Sequence, residues 1–310
     1  MPKSAYAIDP VATSISRAYY NGKMIADSVL RRLPPVSKEE FKYNEFSNVD
    51  EAFTVPDTKI GRTSDANQVG QSSKLLTDST EDWGLKDVIP QPDIDNAPDG
   101  VNLVGRSAEF LTDLILLDRE IRVKNLVFDP AQYPASNKLQ LDAESKLTSP
   151  NCDPIAIFED SLDSCIMRPN KMAIGRRDFS LLSRNPNILK AVNKSLAGDK
   201  GKATRQQILD LFELDEILVG EAWVNTARKG QARNLVRVWD DSLLFFCDNP
   251  LADTRQGTTF GYTVPYKQRV AMTKFDDELG LHGSTVIKVG ESVKELIVAN
   301  DMAYLIYGTK

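Results

Sequence analysis

The chain has 310 residues, 41% of them hydrophobic and 26% charged, with a net charge of −6. That is apolar material for one large core or two modest ones, and the acidic balance lacks the lysine and arginine surplus of a dedicated nucleic-acid binder. No stretch reaches the ~20 apolar residues of a membrane span, and the N-terminal MPKSAYAIDPVATS lacks the basic, apolar, small-residue succession of a secretion signal.

Residues 1–35 read as a loose leader with one short helical piece in ATSISRAYYNGKMIADSVL. From about Phe41 to Asp99 the chain is polar and rich in turn formers. Alternation in Phe41-Lys42-Tyr43 and Ala52-Phe53-Thr54-Val55 predicts strands flanking an extended hairpin arm. Its composition cannot support a local core, yet Ile60, Val69, Leu75, Leu76 and Trp83 recur within it, so its order is expected to come from a partner.

Residues 106–127 carry the strongest helical pattern, with Phe110, Leu114, Leu117 and Ile121 at helical spacing, joined by Leu111 and Ile115. Leu114 and Leu117 are expected to face the core. Asp118 with Arg122, and Glu120 with Lys124, stand four apart with the acid first, as on an exposed helix face. Asp153 before Pro154 predicts a second helix through Ile155, Phe158, Leu162 and Ile166. Arg168-Pro169-Asn170 turns into a strand, KMAIG, and Asp178 is expected to cap a helix stopped at Asn185-Pro186. Thr204 with Gln207 forms a capping box before Ile208, Leu211 and Phe212, leading into the strand EILVG. NLVRVW, SLLFFC, GTTFGYTVPY, STVIKVG and MAYLIYG make the remainder β-rich, without a regular βαβ repeat, so the class is α+β.

Chemistry is scarce. His282 is the one histidine, in a glycine-flanked turn, and Cys152, Cys165 and Cys247 show no CxxC spacing, which fits reduced thiols in a cytosolic setting. A Cys–His nucleophilic pair is the enzymatic alternative, weighed against buried small hydrophobes and a surface histidine. The pairs Glu39–Glu40, Glu81–Asp82 and Asp276–Asp277 read as solvated loops, and GDKGK at 198–202 lacks the strand and the final Ser/Thr of a phosphate loop. No catalytic, cofactor-binding or metal-ligating residue is expected. In ILVGEAWVNTARKGQARNLVRVW, Gly220 reads as the end of a buried strand and Asn225–Ala227 as a tight packing turn.

These residues together resemble the tailed-phage major capsid proteins of the HK97-type fold, nearly end to end. Tyr20 followed by Ile25-Ala26-Asp27 is similar to the end of that family's N-terminal arm, and Glu120 before Arg122-Val123 to the close of its spine helix. Asp153-Pro154-Ile155, Pro169-Asn170, Asn185-Pro186 and Thr204 to Phe212 leading into Val219-Gly220-Glu221-Ala222 follow in the family's order. Asn225-Thr226-Ala227 with Gly230, then Trp239 and SLLFF, complete it; Arg237-Val238 and the tail after Tyr262 are less distinctive.

The resemblance implies an N-terminal arm at 1–40, an extended loop with flanking strands at 41–88, and a peripheral domain at 89–167 containing the spine helix 106–127. It further implies an axial domain at 168–262 and a return to the peripheral domain at 263–310. The implied function is self-assembly, through hexamers and pentamers, into an icosahedral head that encloses double-stranded DNA without sequence-specific binding. Portal, a separate scaffolding protein and a decoration protein are the implied partners, with no membrane, assembly in the host cytoplasm and residence in the virion. The leader before Tyr20 is short for a scaffolding segment, so little or no cleavage is expected. An encapsulin-like compartment of the same fold is the alternative.

Overall fold

The computed structural model describes residues 5–45, 55–62, 64–68, 74–149, 151–192, 201–228, 230–254 and 257–310. The strands in chain order are β1 (Ala7–Ile8), β2 (Glu40–Glu45), β3 (Lys74–Ser79), β4 (Glu81–Pro90), β5 (Lys138–Gln140), β6 (Lys171–Gly175) and β7 (Glu216–Gly220). They continue with β8 (Trp223–Asn225), β9 (Leu235–Arg237), β10 (Ser242–Phe246), β11 (Gly261–Asp276), β12 (Ser284–Ile297) and β13 (Ala303–Tyr307). The helices are α1 (Pro10–Ala18), α2 (Ala26–Val29), α3 (Gln91–Asp95), α4 (Leu103–Val127), α5 (Pro154–Asp163), α6 (Arg176–Leu182), α7 (Pro186–Val192) and α8 (Arg205–Phe212).

Local chemistry starts four of these eight helices. Asp9 accepts hydrogen bonds from the Val11 and Ala12 amides, with Pro10 at the first helical position of α1. Asn102 accepts from Gly105 N at the start of α4, and Asp153 from Ile155 N at the start of α5. The capping box of α8 is formed in both directions, Gln207 N to Thr204 Oγ1 at 3.2 Å and Thr204 N to Gln207 Oε1 at 2.9 Å. Each such cap satisfies amides that the first helical turn leaves free.

One sheet is antiparallel, in the order β1-β11-β12-β4. The N-terminal half of α4 lies across it, packing Ala108, Leu111 and Ile115 on Ile89, Ala271, Ile287 and Val289. The other sheet has the order β5-β13-β10-β6-β7, with β6–β7 and β13–β5 parallel. Its central strand SLLFF is buried on both faces, as an interior strand must be. Leu243 and Phe245 point to one side, into Phe158, Leu162, Phe179, Ile208 and Phe212 of the surrounding helices. Leu244 and Phe246 point to the other, towards Val123, Val127 and Trp239. The α+β class read from the sequence is therefore the observed one.

One expected helix start changes. Asp178 does not cap a helix: α6 begins at Arg176 after Gly175, and the buried Asp178 carboxylate accepts the Asp241 amide at 3.1 Å. Within 263–310, β11 and β12 belong to the sheet under α4, while β13 pairs with β10 and β5. The Phe41-Lys42-Tyr43 strand is formed within β2, whereas 52–54 and 193–200 lie outside the described residues. Among the described residues no helix is long and apolar enough to cross a membrane.

Candidate assembly surfaces

The 25-residue helix α4 is apolar on more than one side. Its buried positions are Ala108, Leu111, Ile115, Leu116, Val123 and Val127, with small and polar residues among them, including Gly105, Ser107 and Thr112. Phe110 is 60% exposed and Leu114 37%. Leu114 is thus not a core residue; Leu117 and Ile121 are partly buried against the second sheet's core. Phe110 and Leu114 thus form an uncovered apolar surface. Tyr19 Oη and Asn21 Nδ2 hold the N-terminal arm along its flank by donating to Asp113 Oδ1, at 3.1 and 2.8 Å.

The arm is clamped where α2 meets α4. Glu120 is fully buried, correcting the expectation that it pairs with Lys124 on an exposed face. Its carboxylate accepts Ile25 N at 2.7 Å, Ala26 N at 2.8 Å and the Trp239 indole N–H. Burial pushes its pKa up, and those donors only partly offset the push. Trp239 wedges against the ends of two parallel strands, where a side chain on Gly220 would lie 2.2 Å from its ring and one on Gly175 would lie 2.3 Å from its carbonyl oxygen. Gly220 is there to admit Trp239, and not to cradle a phosphate.

Beside the clamp runs a chain of ion pairs. Arg119, almost wholly buried, donates to Leu30 O, to Thr263 Oγ1 at 2.8 Å and to Asp27. Arg32 grips both oxygens of Glu291 at 2.9 and 3.0 Å and also donates to Asp27, while Arg269 reaches Glu291 Oε2 at 2.8 Å. Burial alone raises the pKa of Glu291, but Arg32, Arg269 and Arg119 outweigh it and hold the carboxyl at about 2. Arm, helix and hairpin strands are thereby joined across a cleft of about 470 Å³.

The extended arm roots nearby. β2 and β3 pair antiparallel, Phe41 opposite Asp78 and Tyr43 opposite Leu76. Phe41 and Tyr43 are buried on Tyr262, Val264, Leu296 and Val298. After Thr80 the chain continues as β4, where the Arg122 guanidinium stacks 3.7 Å from the Trp83 ring centroid and also contacts Glu295 at 2.8 Å. Beyond the root, Val55 and Ile60 are exposed, and Val69 lies outside the described residues.

No family model matches the chain. A major capsid protein of Pseudomonas phage JBD67 is 46% identical over 304 residues, which cover 98% of this chain and 97% of that protein. The chain belongs to the phage major capsid proteins. A phage-related protein from Bordetella bronchiseptica shares the fold with a TM-score of 0.76 at 23% identity, over 98% of both chains. The capsid of Cyanophage P-SCSP1u does so with a TM-score of 0.56 at 12% identity, over 94% of this chain and 89% of that one. The fold is of the HK97 type, as the sequence resemblance implied, and the subunit is a structural component of the phage head.

In this capsid protein the three thiols and the histidine weighed for catalysis differ in burial. Cys152, Cys165 and Cys247 are buried and free, and burial pushes their thiols up to about 11, 12 and 11. Thiols so shifted carry little thiolate at neutral pH. His282 is exposed in the β11–β12 turn. Asn225 and Thr226 are exposed as well, which corrects the tight packing turn: they start a hairpin in which β8 pairs with β9. Sequence reasoning missed the buried roles of Glu120, Arg119 and Glu291, because each has a partner about 90 to 260 residues away in the chain.

Proposed function

We propose that this chain is the repeating subunit of an icosahedral head enclosing double-stranded DNA, and that its work is assembly and not catalysis. The observation that carries the reading is the end-to-end match to a major capsid protein, 46% identity over 98% of the chain. A match of that extent leaves little of the subunit for a different task.

The peripheral domain would be α4 with the sheet β1-β11-β12-β4, and the axial domain the β5-β13-β10-β6-β7 sheet with its helices. The N-terminal arm and the β2–β3 arm would lie over neighbouring copies, where the Phe110–Leu114 surface offers apolar area to cover. Such burial repays the conformational entropy of ordering long polar arms. Five-fold and six-fold rings would form from one chain by adjustment at the arm and its joints. The acidic balance suits a lining that confines DNA without gripping it. Portal, scaffolding and decoration proteins would be its partners.

Expression of the chain, alone and with its phage's scaffolding protein, followed by negative-stain microscopy should give closed shells of uniform size. Shells recovered from phage-producing cells should protect DNA from nuclease. Shells loaded with protein cargo and free of DNA would instead favour the compartment alternative.

A further inference from the structure

The two ends of the five-stranded sheet differ in charge, and both leave apolar side chains uncovered. Where β6 and β7 finish, at Gly175 and Gly220, the chain projects the β8–β9 hairpin, three residue pairs long. Trp223 on it is 48% exposed, with the Arg237 guanidinium stacked 4.3 Å from its ring centroid. Leu235 and Val236 are exposed beside it, and Arg228 and Arg233 are exposed near the tip. The hairpin holds its own shape: Asn225 Oδ1 accepts from Ala227 N and Asn234 N, and Thr226 N donates to Asn234 O. A two-stranded ribbon of this kind is marginal in water by itself, and Trp and Arg are among the residues most enriched at interface hot spots.

The opposite end, where β6 and β7 begin at Lys171 and Glu216, is acidic. Ile166 and Met167 are each 50% exposed there, and the Met167 carbonyl accepts from Cys247 Sγ just past β10. Glu159, Asp160, Asp163, Glu213 and Asp215 are exposed on the elements that meet this end, Asp163 being paired with Arg168 beside Met167. Glu159 and Asp163 are four apart and share one face of α5.

We infer that these two ends bind each other between copies, the β8–β9 hairpin of one subunit packing on the Ile166–Met167 surface of the next. The apolar groups supply buried area, and the hairpin arginines face the α5 carboxylates. Within one copy the contact is impossible, because β6 and β7 separate the two surfaces by five residues at ~3.3 Å each. Two different surfaces at opposite ends of one body make a head-to-tail contact, which repeats around a ring when the rotation closes. The inference rests on the reading of the chain as a shell subunit and adds the residues that join copies within a ring.

Charge reversal tests it. Arg228→Glu with Arg233→Glu on the hairpin, and Glu159→Lys with Asp163→Lys on α5, should each raise the subunit concentration needed for half-assembly about tenfold or more. The chain carrying all four changes should return to within about threefold of wild type, because both surfaces are reversed together. Thermal melts of the free subunits check folding. If a reversed chain fails to fold, Trp223→Ser, which alters no charge, should give the same weakening. Shells formed equally well by wild type and the reversed or Trp223→Ser chains overturn the contact, as does a folded four-fold variant that is not rescued. A wild-type chain that forms no shells is a failure of the subunit reading itself, and so is distinguishable.

Discussion

Glu120 is a carboxylate in a dry part of the molecule, and three N–H groups are what let it stay there. Removing it leaves two backbone amides and an indole N–H buried without acceptors. Glu120→Ala should therefore cost about 3–5 kcal/mol in urea unfolding of the free subunit, and Glu120→Gln about 1–3 kcal/mol, since an amide keeps one acceptor oxygen. Equal, small losses for both would mean that the clamp does not hold the arm. Glu291 behaves in the opposite sense towards pH. Its folded pKa, about 2, lies below the usual glutamate value of 4.5, so its ion pairs stabilise above that value and the contribution is lost as pH falls between them. Between pH 5 and pH 3 the wild-type subunit should lose roughly 2 kcal/mol from this group, a slope absent from Glu291→Gln. Parallel pH profiles for the two proteins would refute the assignment.

At the scale of the element, α4 shows how a helix can serve two surfaces. Leu111 is buried on the antiparallel sheet, so Leu111→Ala should destabilise the free subunit by about 2–5 kcal/mol. Phe110 faces outward, and Phe110→Ala should change subunit stability by less than about 1 kcal/mol while lowering the yield of shells. The reverse pattern in urea melts would put the sequence's stripe back in the core. That stripe misled because periodicity reports which positions are apolar and not which are covered; apolar residues at 110, 111, 114, 115, 116 and 117 surround the helix. The features legible in the sequence were those decided within a few residues, such as the capping box of Thr204 and the Asp153 cap, together with the buried strands KMAIG and EILVG. The arm clamp and the split between β11–β12 and β13 were not legible, because their partners come from distant segments. The hairpin of Trp223 was missed for another reason. Its small residues look like a packed turn, whereas the structure shows Asn225 and Thr226 exposed on a hairpin whose β8 is paired only with β9 among the described strands.

For the whole molecule, the segment beyond the β2–β3 root separates what folds the subunit from what joins subunits. The root is fixed by Phe41 and Tyr43 on the core of Tyr262 and Val264. The described residues beyond it, 55–62 and 64–68, are exposed and their hydrogen bonds are local, such as Asn67 Nδ2 to Asp57 O. The described residues within 61–73 bury little in the subunit itself, and shortening a loop changes its closure entropy by only about 0.6 kcal/mol per halving. The chain with residues 61–73 deleted should remain soluble and melt within a few degrees of wild type. It should nevertheless fail to form closed shells, because the apolar residues Ile60, Leu75 and Leu76 that flank the cut would no longer be carried to a neighbour in the same geometry. Hydrogen exchange supplies the second readout: amides from 55 to 68 should exchange fast in dilute subunits and slowly in shells. Equal protection in both states, or normal shells from the deleted chain, would show that this segment belongs to the subunit's own fold and that the contacts building the head lie elsewhere.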